Sequence, residues 1–191
     1  MVQDWFRYVV YNNSFDDTHF GISDITAAQA LNPFNVQTYP SDLSNFTKNH
    51  NGKLLIFHGQ QDQQITSFST ERFYNYLANG MRMPSSQMDD FLRYFRISGM
   101  FHCSGGPGAW MIGQSASGAT GYDPESNVLA AMVRWVEEGI PPGTIQGTKF
   151  INDSAVNGLE RTRKHCRYPY RNTYMGGNAS LPESWECVLH G

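Results

Sequence analysis

The chain has 191 residues and a mass of 21.6 kDa, and 40% of its side chains are hydrophobic, which suits one compact domain or a large part of one. Charged residues make up only 16% and the formal net charge is −3, so no basic face is available for the phosphates of a nucleic acid or an acidic membrane. No apolar run approaches the roughly 18–20 residues of a membrane span. We therefore expect neither a nucleic-acid nor a membrane partner.

The first fifty residues predict irregular structure with short helices. Ser23 and Asp24 can cap a helix over residues 25–31, because side-chain oxygens at a helix start accept hydrogen bonds from free backbone N–H groups. No repeat or low-complexity linker interrupts the chain. We therefore divide it into a connecting segment, residues 1–50, and a main domain, residues 51–191.

The pattern changes to strands and helices after residue 50. The continuous apolar run from Lys53 to Gly59 predicts a strand buried on both faces, and residues 91–97 form a second strand candidate that ends at Gly99. An amphipathic helix between them is predicted to close at Asn79-Gly80. The apolar face of this helix consists of Phe73, Tyr76, Leu77 and Met81.

A further helix follows a long loop. Asp123 and Pro124 predict its N-cap and first residue, and Gly139 with Pro141-Pro142 predicts its end. Its predicted buried stripe consists of Val128, Leu129, Met132, Val133, Trp135 and Val136. The order strand, helix, strand, long loop and helix predicts an α/β fold with a parallel sheet flanked by helices.

Each predicted strand leads into a loop with a polar residue of catalytic type. Asp62 follows the first strand and His102 follows the second, and such loops gather at the carboxyl edge of a parallel sheet. An Asp followed by a His is the second half of the order Ser, Asp, His in α/β-hydrolases. The imidazole would take a proton from a nucleophile and return it to the leaving group, while the carboxylate orients the ring.

Simpler interpretations compete with the catalytic one. A lone Asp after a strand usually serves a turn or a helix cap, and a lone His in a glycine-rich loop is usually only a loop residue. The matching strand ends and the chain order favour catalysis by Asp62 and His102 together. His58, at the end of the first strand, is a rival base, but its position favours a packed and hydrogen-bonded side chain.

The chain offers no nucleophile to complete this pair. A nucleophile elbow needs Gly-x-Ser-x-Gly between a strand and a helix. The nearest match, around Ser115 in residues 113–118, lacks the second glycine in place, follows no strand and comes after His102. The sequence therefore predicts an acid and a base that belong to a larger hydrolase.

Three cysteines are an odd number, which matters if the protein is secreted. Low charge and four Asn-x-Ser/Thr sequons point mildly to secretion, whereas the N-terminus has no basic region followed by an apolar one. In an oxidising compartment a leftover cysteine usually pairs with another chain. Either the protein is intracellular, or this is the downstream piece of a secreted precursor. The sequons begin at Asn12, Asn45, Asn152 and Asn178.

The loop with His102 and Cys103 ends in Gly-Gly-Pro-Gly, and together with residues 52–59 and Asp62 it resembles the tannase and feruloyl esterase family of secreted esterases. Residues 5–8 and 24–30 are similar to the family's return from its lid domain, to which residues 1–50 are therefore assigned. The Gln-rich loop around Asp62 departs from the family's more usual pattern. Further similarity lies at residues 133–139, 161–163, 166–170 and Cys187.

The resemblance implies how the cysteines pair and what is missing. Cys103 would bond to a cysteine beside the nucleophilic Ser on another chain, and Cys166 and Cys187 would form a local disulfide. The fold would be the C-terminal part of an α/β-hydrolase, completed by the disulfide-linked N-terminal chain of the same precursor. That chain would hold the Ser, the oxyanion-hole amides and most of the lid with a structural calcium ion. We expect no metal in this chain, since a zinc site at His102-Cys103 lacks a second ligand pair.

The resemblance also implies the reaction. It indicates a secreted serine-type esterase for small phenolic-acid esters, in which Asp62 and His102 are the acid and base. Tannase, acting on galloyl esters, is placed ahead of feruloyl esterase, because fungal tannases of the family are cut into two disulfide-linked chains. The alternative of a different class is a secreted binding protein with a degenerate half of a hydrolase fold.

Overall fold

The computed structural model describes residues 2–37, 39–118 and 120–189. By its internal contacts the chain divides into two compact units, Met1–Pro40 and Ser41–Gly191. The assignment of residues 1–50 to a return from a lid domain stays a prediction.

The first unit is built around the ring of Phe6. Helix α1 (Val2–Trp5) leads into a π-helical turn, and the Phe6 ring in that turn packs on the rings of Tyr11, Phe15 and Phe20. Helix α2 (Ile22–Leu31) begins earlier than predicted. The N-cap residue is Gly21, and its backbone N–H donates to the Asp24 carboxylate at 2.9 Å. The helix therefore begins before Ser23, the predicted cap.

The centre of the second unit is a parallel strand pair with a helical crossover. Strands β1 (Leu54–Gly59) and β2 (Leu92–Ile97) pair in parallel, from Leu54 opposite Leu92 to Gly59 opposite Ile97. Helix α3 (Phe68–Met81) and the short α4 (Ser85–Met88) connect them. The predicted α/β arrangement is confirmed, and both strands point their carboxyl ends to the same edge.

The two strands differ in burial. All but one of the six residues of β2 are buried. In contrast, β1 is half-buried from Leu54 to Phe57, so the prediction of burial on both faces is wrong for it. The reason is its second edge, which has no strand partner within the described part of the chain.

Helix α3 corrects two details of the sequence analysis. The helix buries Tyr74 and Leu77, whereas Tyr76, predicted on the apolar face, is exposed. Gly80 lies inside the helix, and the end is made by Arg82 in the left-handed conformation at φ 54°. A Cβ at Gly80 would lie 2.2 Å from the Ser41 carbonyl oxygen, so close packing explains this glycine.

Helix α5 (Val128–Glu138) begins four residues later than the predicted start. Its N-cap is Asn127, whose side chain accepts the N–H groups of the next turn, and Asp123-Pro124 lies in the turn before it. Its buried side chains are Val128, Ala131 and Trp135. The predicted stripe is therefore partly wrong, because three of its members are exposed: Leu129, Val133 and Val136. The predicted end at Gly139 is confirmed, with φ 73°.

Two antiparallel strand pairs were not predicted. Strands β3 (Thr144–Phe150) and β4 (Leu159–Cys166) form one pair, and β5 (Tyr170–Tyr174) and β6 (Trp185–Leu189) form the other. Cys166 and Cys187 form a disulfide with a sequence separation of 21, which ties β4 to β6. Short helical turns complete the second unit: Asn45–Asn49, Ala116–Gly118, Ile151–Asp153, Ala155–Asn157 and Pro182–Ser184.

A buried histidine joins the β3–β4 pair to the segment after β2. His165 on β4 is 1% exposed, and its Nε2–H donates to the Ala109 carbonyl at 2.9 Å. Gly147 on β3 lies against the same contact, since an added Cβ would be 1.9 Å from the Ala109 oxygen and 2.6 Å from His165 Nε2. This packing leaves no room for a side chain at residue 147.

We expect Gly147→Ala to destabilise the protein by about 2 kcal/mol or more, because the new methyl group must displace backbone or break the His165 hydrogen bond. Urea unfolding of the variant and the parent measures the difference. Gly143→Ala is the matched control, since no described atom lies within 4 Å of its added Cβ. Equal stability of the two variants would contradict the close packing at residue 147.

The stability is also expected to depend on pH through His165, because burial lowers the pKa of this histidine from 6.5 to about 4. The folded protein then binds fewer protons than the unfolded chain between these values, so stability falls as the pH drops through that window, by up to about 3 kcal/mol. His165→Gln cannot titrate and should flatten this dependence, measured as the free energy of unfolding from pH 7 to pH 4. A slope unchanged by the substitution would count against this assignment.

Candidate active site

The loop after β1 holds the carboxylate of Asp62. The Asp62 Oδ1 accepts the backbone N–H groups of Gln64 at 2.8 Å and Ile65 at 2.9 Å, so the loop closes on its own side chain. Only 2% of the side chain is exposed. A buried carboxylate needs hydrogen-bond donors to replace water, and its own loop supplies the donors for one of the two oxygens.

The other carboxylate oxygen accepts hydrogen bonds from two histidines. Asp62 Oδ2 lies 2.8 Å from His102 Nδ1 and 3.2 Å from His58 Nε2. Since an ionised carboxylate only accepts hydrogen bonds, both ring nitrogens are donors in these contacts. The structure therefore brings together the two residues predicted as acid and base, and adds the rival base to the same oxygen.

The electrostatics of the site keep Asp62 ionised. Burial by itself would raise the pKa of Asp62, but hydrogen bonds from the Ile65 N–H, His102 and the Gln64 N–H outweigh it and hold the pKa well below its ordinary value. A carboxylate that remains charged can orient an imidazole and stabilise the imidazolium that forms when the ring takes a proton.

His102 lies in a tight loop after β2. The Gly108 N–H donates to the Gly99 carbonyl at 3.0 Å and closes the loop, while the His102 N–H donates to the side chain of Gln63 at 3.3 Å. Cys103 adopts the left-handed conformation, with φ 60°. This conformation turns the chain directly after His102, and the cysteine side of the turn is exposed.

Two basic side chains from the β3–β4 pair hold the loop from outside. Lys149 Nζ donates to the Gly106 carbonyl at 2.7 Å and to Asp153 Oδ1 at 2.6 Å. Arg161 donates to the Pro107 carbonyl at 2.7 Å. The sequence analysis missed these roles, because the basic residues lie on strands that it did not predict.

The two histidines differ in what they can reach. The side chain of His58 is 10% exposed and both its nitrogens are engaged, Nε2 by Asp62 and Nδ1 by Thr70 Oγ1 at 2.6 Å. The side chain of His102 is 35% exposed, and its Nε2 has no hydrogen-bond partner among the described residues. Of the two, only His102 has a nitrogen ready for a reacting group.

No nucleophile meets that nitrogen in this part of the molecule. In the described ranges no Ser, Thr or Cys side chain hydrogen-bonds to His102. The Ser115 hydroxyl instead lies 3.1 Å from Ser117 Oγ, in the loop before α5. This loop borders an apolar groove of about 590 Å³ between the open side of β1 and helix α5, lined among others by Leu55, Phe57 and Leu129.

The remaining predicted positions lie on the surface. Cys103 is a free, exposed cysteine in this chain. The asparagines of all four sequons are exposed: Asn12, Asn45, Asn152 and Asn178. Across the described residues, no helix is both long and apolar enough to cross a membrane.

The chain is similar in sequence and fold to known esterases. The family model for tannase and feruloyl esterase matches residues 7–188. A probable feruloyl esterase B-2 from Aspergillus flavus is 54% identical over 87% of this chain and 32% of its own length. The crystal structure of an esterase from Aspergillus oryzae is 48% identical, with a TM-score of 0.93 over 97% of this chain and 37% of that one. A tannin acyl hydrolase from Aspergillus niger, 21% identical over 98% of this chain and 33% of that one, shares the fold with a TM-score of 0.70.

The chain therefore spans about a third of the length of the proteins that it matches. Its α/β architecture is part of the α/β-hydrolase-type fold of these esterases. With the family model matching nearly the whole sequence, the chain belongs to the tannase and feruloyl esterase family.

Proposed function

We propose that this chain supplies the acid and the base of a Ser-Asp-His triad in an ester hydrolase acting on esters of phenolic acids. The observation that carries the proposal is the contact of 2.8 Å between His102 Nδ1 and Asp62 Oδ2, with a partly exposed ring whose Nε2 has no hydrogen-bond partner among the described residues. This is the pairing that acyl transfer needs from an acid and a base.

The mechanism is a two-step acyl transfer. His102 Nε2 takes the proton of a serine hydroxyl as the oxygen attacks the ester carbonyl, and Asp62 stabilises the imidazolium. His102 then protonates the departing alcohol, and the acyl group stays on the serine. Water, deprotonated by the same nitrogen, releases the acid and restores the serine.

The serine is proposed to come from outside this chain. The chain spans about a third of its relatives, and the open edge of β1 with the exposed face of α5 is where further strands and helices of a larger sheet would pack. Cys103 is free, exposed and next to His102, so we propose that it bonds to a cysteine beside that serine. The partner would be the N-terminal part of the same precursor, in a secreted and glycosylated protein.

We propose feruloyl esters as the substrates ahead of galloyl esters. The relative with 54% identity is named a probable feruloyl esterase B-2, whereas the likeness to the tannin acyl hydrolase, at 21% identity, extends only to the fold. This ordering reverses the expectation from the sequence, which placed tannase first.

No step of this mechanism uses a metal. The calcium ion implied by the family resemblance is proposed to lie in the lid, outside this chain. Within the described ranges, no group of three His, Cys, Asp or Glu side chains could hold a metal ion.

We expect His102→Ala and Asp62→Asn, made in the full-length protein that contains this chain, to lower kcat for methyl ferulate by about 10⁴-fold. The first removes the base, and the second removes the charge that stabilises the imidazolium. His50→Ala, at an exposed residue away from the site, is the control and should keep full activity. Turnover retained by His102→Ala would show that this histidine is not the base.

The substrate class is tested by comparing methyl ferulate with methyl gallate on the same full-length protein. We expect a higher kcat/KM for methyl ferulate. A higher value for methyl gallate would restore tannase as the activity. Failure to hydrolyse either ester, with no label taken up from a serine-directed organophosphate, would favour the non-catalytic binding protein.

A further inference from the structure

We propose that His58 is a positioning residue that fixes the orientation of the Asp62 carboxylate and shares its Oδ2 with His102. This inference rests on the proposed function, because a positioning role has meaning only if Asp62 and His102 act together in catalysis. It assigns a function to the histidine that the sequence treated as a rival base.

The hydrogen bonds of His58 select one tautomer of its ring. Asp62 Oδ2, 3.2 Å from Nε2, can only accept, so Nε2 carries the proton. In the neutral ring Nδ1 is then an acceptor, and the Thr70 hydroxyl, 2.6 Å away in the first turn of α3, donates to it. The opposite tautomer would set the Nε2 lone pair against a carboxylate oxygen. Thr70 therefore holds the ring as a donor toward Asp62.

This contact completes the support of the carboxylate. The backbone N–H groups of Gln64 and Ile65 fix Oδ1, and the His58 Nε2–H fixes Oδ2. Three donors thus set the plane of the carboxylate independently of His102. The bond to His102 is then the one contact of Asp62 that strengthens when the imidazolium forms.

The position of His58 is set by backbone packing between the two loops. His58 is followed by Gly59, where an added Cβ would lie 2.3 Å from the Phe101 carbonyl oxygen. The Gln60 and Gln61 N–H groups donate across to the Ile97 and Met100 carbonyls, both at 3.0 Å. The end of β1 is therefore held directly against the His102 loop, which places two histidines within reach of one oxygen.

The charged neighbours of His58 are also accounted for. Asp62 and His102 belong to its own hydrogen-bond network. Arg96 is the residue opposite His58 in the parallel register of β2, and it pairs with Glu71 of α3 at 3.4 Å. The charges of Arg96 and Glu71 neutralise each other. The contact of His58 that bears on catalysis is therefore the one with Asp62.

The test uses the full-length enzyme and methyl ferulate. His58→Leu removes the donor and is expected to lower kcat roughly ten- to hundredfold with KM unchanged, because the side chain is only 10% exposed and both its nitrogens are engaged. With one donor lost, Oδ2 attracts the His102 imidazolium more strongly, so the acid limb of the kcat/KM profile should move to higher pH by about 0.5 unit. His58→Gln keeps an N–H at the Nε2 position. It is therefore expected to recover most of the parent's kcat and most of its pH profile.

Three results would overturn the proposal. One is a pH profile of His58→Leu identical to that of the parent, which would leave His58 a packing role only. Another is equal activity of His58→Leu and His58→Gln. The third is a loss as large as that of His102→Ala, which would make His58 a base. Failure of the proposed function itself would look different, as activity retained by His102→Ala or absent in the parent enzyme.

Thr70 provides the second pair of variants if a change at His58 prevents folding. Thr70→Val removes the hydroxyl that donates to His58 Nδ1 and is expected to lower kcat several-fold, whereas Thr70→Ser keeps it and should retain the parent's activity. Circular dichroism checks that both are folded. Equal activity of the two variants would contradict the selection of the His58 tautomer by Thr70.

Discussion

The buried carboxylate of Asp62 is the constraint around which the site is arranged. A charge removed from water is tolerated only where donors replace the lost hydration, and this side chain has four of them. Two come from its own loop, one from the end of β1 and one from the loop after β2. The need to satisfy this charge therefore ties three separate parts of the chain together at one point.

The rest of the fold brings those parts within reach. The parallel pairing of β1 and β2 sets both loops at one edge of the sheet, and Gly59 allows their backbones to touch. The β3–β4 pair then holds the His102 loop through Lys149 and Arg161, whose side chains bond its carbonyls. His102 is thus supported from two sides, while the Nε2 of its ring has no hydrogen-bond partner within the described ranges.

Strand β1 and helix α5 have the features expected of part of a larger fold. Strand β1 is half-buried because one edge has no strand partner in the described ranges, and α5 exposes large apolar side chains beside it. An exposed apolar face next to an open strand edge is where a larger sheet would continue. The share of the relatives' length that the chain covers, about a third, agrees with this reading.

The sequence by itself determined the α/β class, the two central strands and the pairing of Asp62 with His102. These follow from local rules, since apolar runs make strands and the loops after parallel strands meet at one edge. It did not determine the buried face of α3 or the start of α5, where Tyr74 and Asn127 took the places expected for Tyr76 and Asp123. Periodicity alone does not say which neighbours a helix will meet.

Only the tertiary structure showed which contacts separate the roles of the two histidines. His58 lies at the end of the first strand and His102 in the loop after the second, and these positions favoured His102 as the base. The distinction depends on contacts in the fold: Thr70 and Asp62 occupy both nitrogens of His58, while the partly exposed ring of His102 has one nitrogen without a partner in the described part of the chain. Hydrogen bonds between residues distant in sequence exist only after the strands have paired, and for that reason the sequence could favour His102 but could not identify the partners of either ring.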